Sequence, residues 1–138
     1  MAYELKVTRR VEFSETDMAG IVHYSNFFRY MEAAEVEFLR SRGLNVKFEL
    51  DGEPISFPRV AASCDFEKPA TFGDVLEIAV QIERLGRKSV TYAFEFRKDG
   101  EVIAHGRVAS CCCQVKADHG IEPIEIPARL RAILERAV

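Results

Sequence analysis

The sequence predicts an α+β fold in which an antiparallel sheet wraps around one long helix, with a short helix near the C-terminus. Three observations carry this reading. Apolar residues alternate with period 2 in four separate stretches, the pattern of half-buried strands, and a hairpin signal leads into a fifth extended stretch. Between the first and second stretches the period changes to that of a helix. The last four stretches then follow one another, so antiparallel meander pairing is expected, with a single helix covering the sheet's apolar face.

In the first stretch, Leu5, Val7, Val11 and Phe13 share a face opposite Lys6, Thr8, Arg10 and Glu12. Arg9 is the one interruption on the apolar side. A loop from Ser14 to Tyr24 leads to Phe27, Met31, Ala34 and Phe38 at helical spacing, an apolar stripe widened by Phe28 and Leu39. Ser25 is a candidate N-cap, and Arg40-Ser41-Arg42-Gly43 reads as a C-terminus, a basic last turn followed by glycine. The helix is therefore expected over 25–42, with Ala33 and Ala34 small enough for close approach to a curved sheet.

A turn-rich loop over 45–54 precedes the second strand, where Val60, Ala62, Cys64 and Phe66 alternate with Arg59, Ala61, Ser63 and Asp65 before Pro69 closes it. Leu76, Ile78, Val80 and Ile82 form the third apolar face, and Val90, Tyr92, Phe94 and Phe96 the fourth, with Gly86 at the turn between them. Asp99-Gly100 is a strong hairpin signal before a last strand over about 102–115. Pro127 opens a short helix over 128–136, a position where proline is well tolerated. One layer pair in so small a chain leaves an edge or a face open, so self-association is expected.

The length, 138 residues, suits one domain spanning 1–138. Hydrophobic residues make up 48%, enough for a sizeable core, while 30% are charged and no apolar run is long enough to cross a bilayer. Met1-Ala2-Tyr3-Glu4-Leu5-Lys6 lacks the basic-then-apolar order of a signal peptide, which makes the cytoplasm the expected location. A formal net charge of −3 argues against nucleic acid as the main partner, because phosphate binding needs a basic surface. Cys111, Cys112 and Cys113 are consecutive, and neighbours along a strand face opposite ways, so reduced, mostly buried thiols are expected rather than bridges. No three ligands fall at metal spacing, and neither a metal nor a resident cofactor is expected.

The chemistry is concentrated in Glu12-Phe13-Ser14-Glu15-Thr16-Asp17-Met18-Ala19-Gly20-Ile21-Val22-His23-Tyr24-Ser25-Asn26. This segment leaves a strand, passes an acid and a glycine, and enters the long helix. A helix start offers free N–H groups and partial positive charge, which can hold the oxygen of a polarised carbonyl. A carboxylate held beside it can attack that carbonyl or activate water. In an arbitrary loop, Asp17 would more often cap a turn.

The segment resembles the 4-hydroxybenzoyl-CoA thioesterase group of the hotdog-fold superfamily. The resemblance is carried by Val11-Glu12-Phe13, Thr16-Asp17, Ala19-Gly20-Ile21-Val22, Tyr24 and Asn26-Phe27-Phe28-Arg29-Tyr30. It continues through Ala33-Ala34, Phe57-Pro58, Ser63-Cys64, Gly73-Asp74-Val75-Leu76 and Arg87-Lys88-Ser89, in matching order over almost the whole chain.

The resemblance implies a hotdog fold, a five-stranded sheet around a central helix, and an acyl-CoA thioesterase. Asp17 matches the catalytic carboxylate, acting as nucleophile or as general base, and the Tyr24 N–H matches the donor that polarises the thioester C=O. Gly20 matches the tight bend of the loop, and Arg87, Lys88 and Ser89 match a turn that meets the phosphates and nucleotide of CoA. The assembly implied is a homodimer joined edge to edge, with sites built from both subunits and often doubled to a tetramer. Phe57 and Pro58 are candidates for the acyl pocket. In many straight-chain members a tyrosine precedes a histidine where this chain has His23 and then Tyr24, so His23 takes a supporting role. The aromatic-acyl members carry further basic residues before the final helix, where this chain has Asp118-His119-Gly120-Ile121-Glu122.

Two other functions fit parts of the pattern. A hydratase of the same fold would need an Asp-x-Asn-Pro-x-His segment, but Met18-Ala19-Gly20 follows Asp17 here and the histidine comes one residue late. A non-catalytic module binding acyl-CoA or an acyl-carrier protein would have no use for a buried acid beside the thioester. His105, His119, Cys64, Glu32 and Glu35 are read as structural or surface groups.

Overall fold

A computed structural model describes residues 5–45, 47–50 and 52–136. Residues 1–4, whose order argued against a leader, lie outside the described residues. The elements are β1 (Leu5–Arg10), α1 (Ser25–Ser41), β2 (Phe48–Leu50), β3 (Glu53–Ser56), β4 (Arg59–Phe66), β5 (Val75–Leu85), β6 (Ser89–Lys98), β7 (Glu101–Cys111), β8 (Cys113–Val115), β9 (Ile121–Pro123) and α2 (Ala128–Glu135). The main sheet has five strands in the order β1-β5-β6-β7-β4, every neighbouring pair antiparallel.

Helix α1 begins where expected and ends one residue short of the expected limit. Ser25 is its first residue rather than its cap; Tyr24 holds the N-cap position without a side-chain cap bond. At the other end Gly43, at φ +75°, gives its N–H to Arg40 O, and Leu44 gives its own to Leu39 O. These two bonds satisfy carbonyls the helix leaves open and need the left-handed residue that glycine supplies.

Phe27, Tyr30, Met31, Ala34 and Phe38 turn inward against Leu76, Ile78, Val80, Val90, Tyr92, Phe94 and Phe96, the predicted inner faces of β5 and β6. Edge-on ring contacts of Phe27 with Phe96 and of Phe38 with Tyr92 fix the two layers. Of the two mid-helix alanines only Ala34 is buried, and Ala33 faces outward.

The meander expectation holds for β5-β6-β7, whose second turn, Asp99-Gly100, has φ of 51° and 78° as a tight primed hairpin requires. It fails for β4. That strand pairs with β7 at the far edge, and residues 67–74 carry the chain back across the sheet's end to β5. Hydrogen bonds fix this crossing: Glu67 and Lys68 N–H to Ile103 O, Val22 N–H to Ala70 O, and Val11 N–H to Asp74 O. The predicted apolar face of β4 is therefore only partly covered within the chain: Cys64 packs on the core and Phe66 meets the Phe27 ring, while Val60 is 67% and Phe66 48% exposed.

Two further expectations change. The turn-rich loop over 45–54 contains β2 and part of β3, which join β8 and β9 in a second, four-stranded sheet. The last long strand breaks at Cys112, whose N–H turns to Lys88 O, so β7 and β8 belong to different sheets. All four cysteines are free, with Cys112 and Cys113 buried and the others half-buried. Among the described residues, no helix is long and apolar enough to cross a membrane.

Candidate active site

Asp17 sits on a short hairpin between β1 and α1. After a single 3-10 turn, Phe13–Glu15, the chain folds back on itself, pairing Thr16 with Val22 and giving the Asp17 N–H to Ile21 O at 2.8 Å. Gly20, at φ +83°, makes the bend. The base of the hairpin is closed by the His23 N–H on Glu15 O at 2.9 Å, one residue before the helix cap.

The hairpin leans on the crossing segment through the Val22 N–H bond to Ala70 O and a bridge between Ile21 and Thr71. Between them lies an apolar groove of about 460 Å³. Asp17 and Tyr24 stand on its rim, with Phe27, Phe66, Pro69 and Ala70 among its walls. Among the described residues, no acceptor within the chain takes the Tyr24 N–H. An acid, an unused helix-start amide and an apolar groove thus share one place.

Asp17 is exposed on the chain rather than buried, and one carboxylate oxygen takes the Ala19 N–H at 2.9 Å. It both caps its own turn and faces the groove. His23 is exposed too, its ring stacked on Tyr24 at 4.7 Å and its Nδ1 2.8 Å from the Ser25 hydroxyl.

The remaining expected site residues lie elsewhere on the chain. Arg87, Lys88 and Ser89 sit at the β5-β6 turn, the far end of β5 from the hairpin, roughly 33 Å away at the usual rise per residue. The turn is held by Arg131 Nη2 on Gly86 O at 2.6 Å and by Ile126 N–H on Arg87 O. The Arg87 side chain pairs with Glu125, while Lys88 is exposed and, among the described residues, faces no acid. Phe57 and Pro58 are at that same end, Pro58 O taking the Cys111 N–H at 3.0 Å. Within one chain, then, Asp17 with Tyr24 and the Phe57, Pro58, Lys88, Ser89 group occupy opposite ends of the sheet.

Other groups fall into structural places. His105 is exposed with Nε2 3.4 Å from Glu67, and His119 holds a turn at φ +66°. Burial, aided by Asp65, pushes the Cys64 thiol up to about 11, the opposite of what a nucleophile needs. Glu35 is buried against Arg59 at 2.6 Å, and its burial raises the carboxyl above its usual value. The sequence reading missed the groove wall from Phe66 to Ala70, because only the unexpected crossing brings it to the helix start. It also missed Glu15, whose carboxylate lies beneath the hairpin and meets Arg9, the misfit of β1.

An antiparallel sheet wrapped around one long helix is the hotdog fold. The chain belongs to the thioesterase superfamily, whose family model matches residues 19–105. It is 31% identical over 123 residues to a 1,4-dihydroxy-2-naphthoyl-CoA hydrolase of Prochlorococcus marinus (strain MIT 9313), covering 83% of this chain and 81% of the relative. The structure of a gentisyl-coenzyme A thioesterase superposes with a TM-score of 0.79 at 32% identity, over 94% of this chain and 99% of the other. A hypothetical protein of Aquifex aeolicus matches with a TM-score of 0.82 at 30% identity, over 95% of this chain and 99% of its own.

Proposed function

We propose that the chain hydrolyses acyl-CoA thioesters in the groove beside Asp17, and that the acyl group is a hydroxylated aromatic one. The observation that carries this reading is the meeting of Asp17, the unused Tyr24 N–H and an apolar groove with aromatic walls. The relatives named for naphthoyl-CoA and gentisyl-CoA support the aromatic acyl class. In the proposed step the thioester oxygen accepts the Tyr24 N–H, whose position at the helix start favours developing negative charge. The Asp17 carboxylate then attacks the carbonyl carbon, displacing the thiolate of CoA and leaving a mixed anhydride that water cleaves to the free acid, or it takes a proton from a water that attacks the carbonyl carbon directly and displaces the thiolate. His23, one residue from Tyr24, supports the loop without a required role in proton transfer.

The opposite placement of the two residue groups supports a homodimer as the working unit. The outer edge of β4 has no strand beside it among the described residues. Antiparallel pairing of two such edges about a twofold axis brings the Arg59 end of one copy to the Phe66 end of the other. A second copy's Phe57, Pro58, Lys88 and Ser89 then approach this chain's groove, where the lysine can meet CoA phosphate. Doubling to a tetramer and a cytoplasmic location remain part of this proposal.

The test is thiol release from a panel of aromatic and aliphatic acyl-CoAs, with Asp17→Asn run beside the parent. Rapid release by the parent, lost in the variant and fastest with hydroxylated aromatic esters, is the expected result. Equal activity in the variant overturns the role of Asp17. No cleavage of any ester overturns the reaction and leaves a binding module.

A further inference from the structure

We propose that Glu15 is the positioning residue that holds the Asp17 hairpin and the Tyr24 amide in register. This inference rests on the thioesterase reading of the groove and deepens it.

Glu15 is 8% exposed and uses both ends of the residue. Its Oε1 accepts the Glu12 N–H at 2.8 Å and the Tyr30 hydroxyl at 2.9 Å, and its Oε2 accepts from Arg9 Nη2. Its backbone oxygen accepts the His23 N–H at 2.9 Å and Asn26 Nδ2 at 2.8 Å. Three of these bonds join β1, through Arg9, to the first two turns of α1, through Asn26 and Tyr30.

The placement matters because of what lies on either side. Asp17 follows two residues later on one arm of the hairpin. On the other arm, the residue bonded to Glu15 O is His23, which directly precedes Tyr24. The two proposed reacting groups thus hang from the two arms of one clamp, and Glu15 is its pivot. Arg9 completes the device: its guanidinium lies 5.2 Å from the Tyr30 ring centroid while it bonds Glu15 Oε2, so the same cation steadies the carboxylate and the tyrosine that donates to it. Burial alone would raise the Glu15 carboxyl, but the Glu12 N–H, the Tyr30 hydroxyl and Arg9 outweigh it and hold the group below its usual value. The carboxylate stays charged, as an acceptor of several donors must.

Glu15 does not line the Asp17 groove, and none of its hydrogen bonds goes to Asp17, so its effect on the reaction passes through the placement of the hairpin and the helix start. Loss of such alignment appears in kcat, because a small misplacement of reacting groups slows the chemical step far more than it weakens ground-state binding.

The experiment measures kcat and KM for thiol release by Glu15→Ala, Glu15→Gln, Tyr30→Phe and Asp17→Asn, well below each variant's melting temperature. Glu15→Ala is expected to lower kcat about 30-fold or more while KM changes less than about threefold. Glu15→Gln keeps an oxygen for the Glu12 N–H and the Tyr30 hydroxyl and is expected to recover most of that loss. Tyr30→Phe removes one donor without opening a cavity and decides the matter if Glu15→Ala fails to fold; a drop of about threefold or more in kcat alone is expected. Parental kcat in the folded variants, or a change confined to KM, overturns the proposal. A parent that cleaves no ester overturns the reaction instead, and hydrogen exchange then reads the clamp directly. Faster exchange of amides 17–24 in Glu15→Ala, with β5 and β6 unchanged, upholds the pivot, and unchanged exchange overturns it.

Discussion

Met31 packs against Gly106 so closely that a Cβ on the glycine would lie 2.3 Å from the methionine Sδ. The same Cβ would stand 3.2 Å from the backbone oxygen of Ser63 on the neighbouring β4. The long helix therefore rests on β7 at a point where the strand has no side chain, and this contact sets how deeply α1 sinks into the sheet.

Gly106→Ala is expected to destabilise the fold by about 1–3 kcal/mol, the usual cost of forcing an extra group into a packed layer. Met31 must move, and Ser63 O leaves little room behind it. Denaturant melts read this directly; a variant as stable as the parent would show that the helix can lift without cost.

Acid should weaken the fold partly through Glu15. Its carboxyl sits below its ordinary 4.5 in the folded chain, so it contributes stability above that value, which is lost as pH falls through the lower folded value. Glu15→Gln is therefore expected to melt about 3–8 °C below the parent at pH 7. The gap should close as the pH falls through the lowered folded value of Glu15, below which both proteins are neutral at this position. A gap independent of pH would mean that shape rather than charge is what Gln fails to reproduce.

The exposed Val60 on β4 gives a test of the proposed dimer. Val60→Glu places a charge on the open edge strand, and two copies meeting there would bring like charges together. Sedimentation at micromolar concentration is expected to show a dimer or larger species for the parent and a monomer for the variant. Thiol release should fall with it while the strand signal in circular dichroism persists. A monomeric, active parent would sink the two-chain site.

Much of this molecule was legible from pattern because the pattern is local. The helix over Ser25–Ser41, the inner faces of β5 and β6, the Asp99-Gly100 turn and the Gly43 stop each depend on residues a few positions apart. Strand order does not. Nothing in the alternation of Val60, Ala62, Cys64 and Phe66 distinguishes a partner in β5 from one in β7, so the crossing over 67–74, and with it the groove wall, could not be read. The short strands β2, β8 and β9, three residues each, carry too little periodicity to register. Arg9 was visible as an anomaly on an apolar face, and its cause, a buried acid six residues on, needed the hairpin to appear.

The Tyr24 amide can be removed almost alone. Tyr24 already has φ −55°, within the range a proline ring imposes, and it stands at the cap of α1, where its N–H makes no helical bond that proline would break. Tyr24→Pro therefore deletes the N–H that no described residue accepts, along with the phenol ring stacked on His23. Tyr24→Ala deletes the ring and keeps the N–H, which separates the two losses. If this amide holds the thioester oxygen, Tyr24→Pro lowers kcat about 100-fold or more, the scale of one lost oxyanion donor. Tyr24→Ala should then stay within about tenfold of the parent, since the ring only borders the groove. Equal losses in the two variants would assign the effect to the ring and move the oxyanion donor to another amide of the helix start.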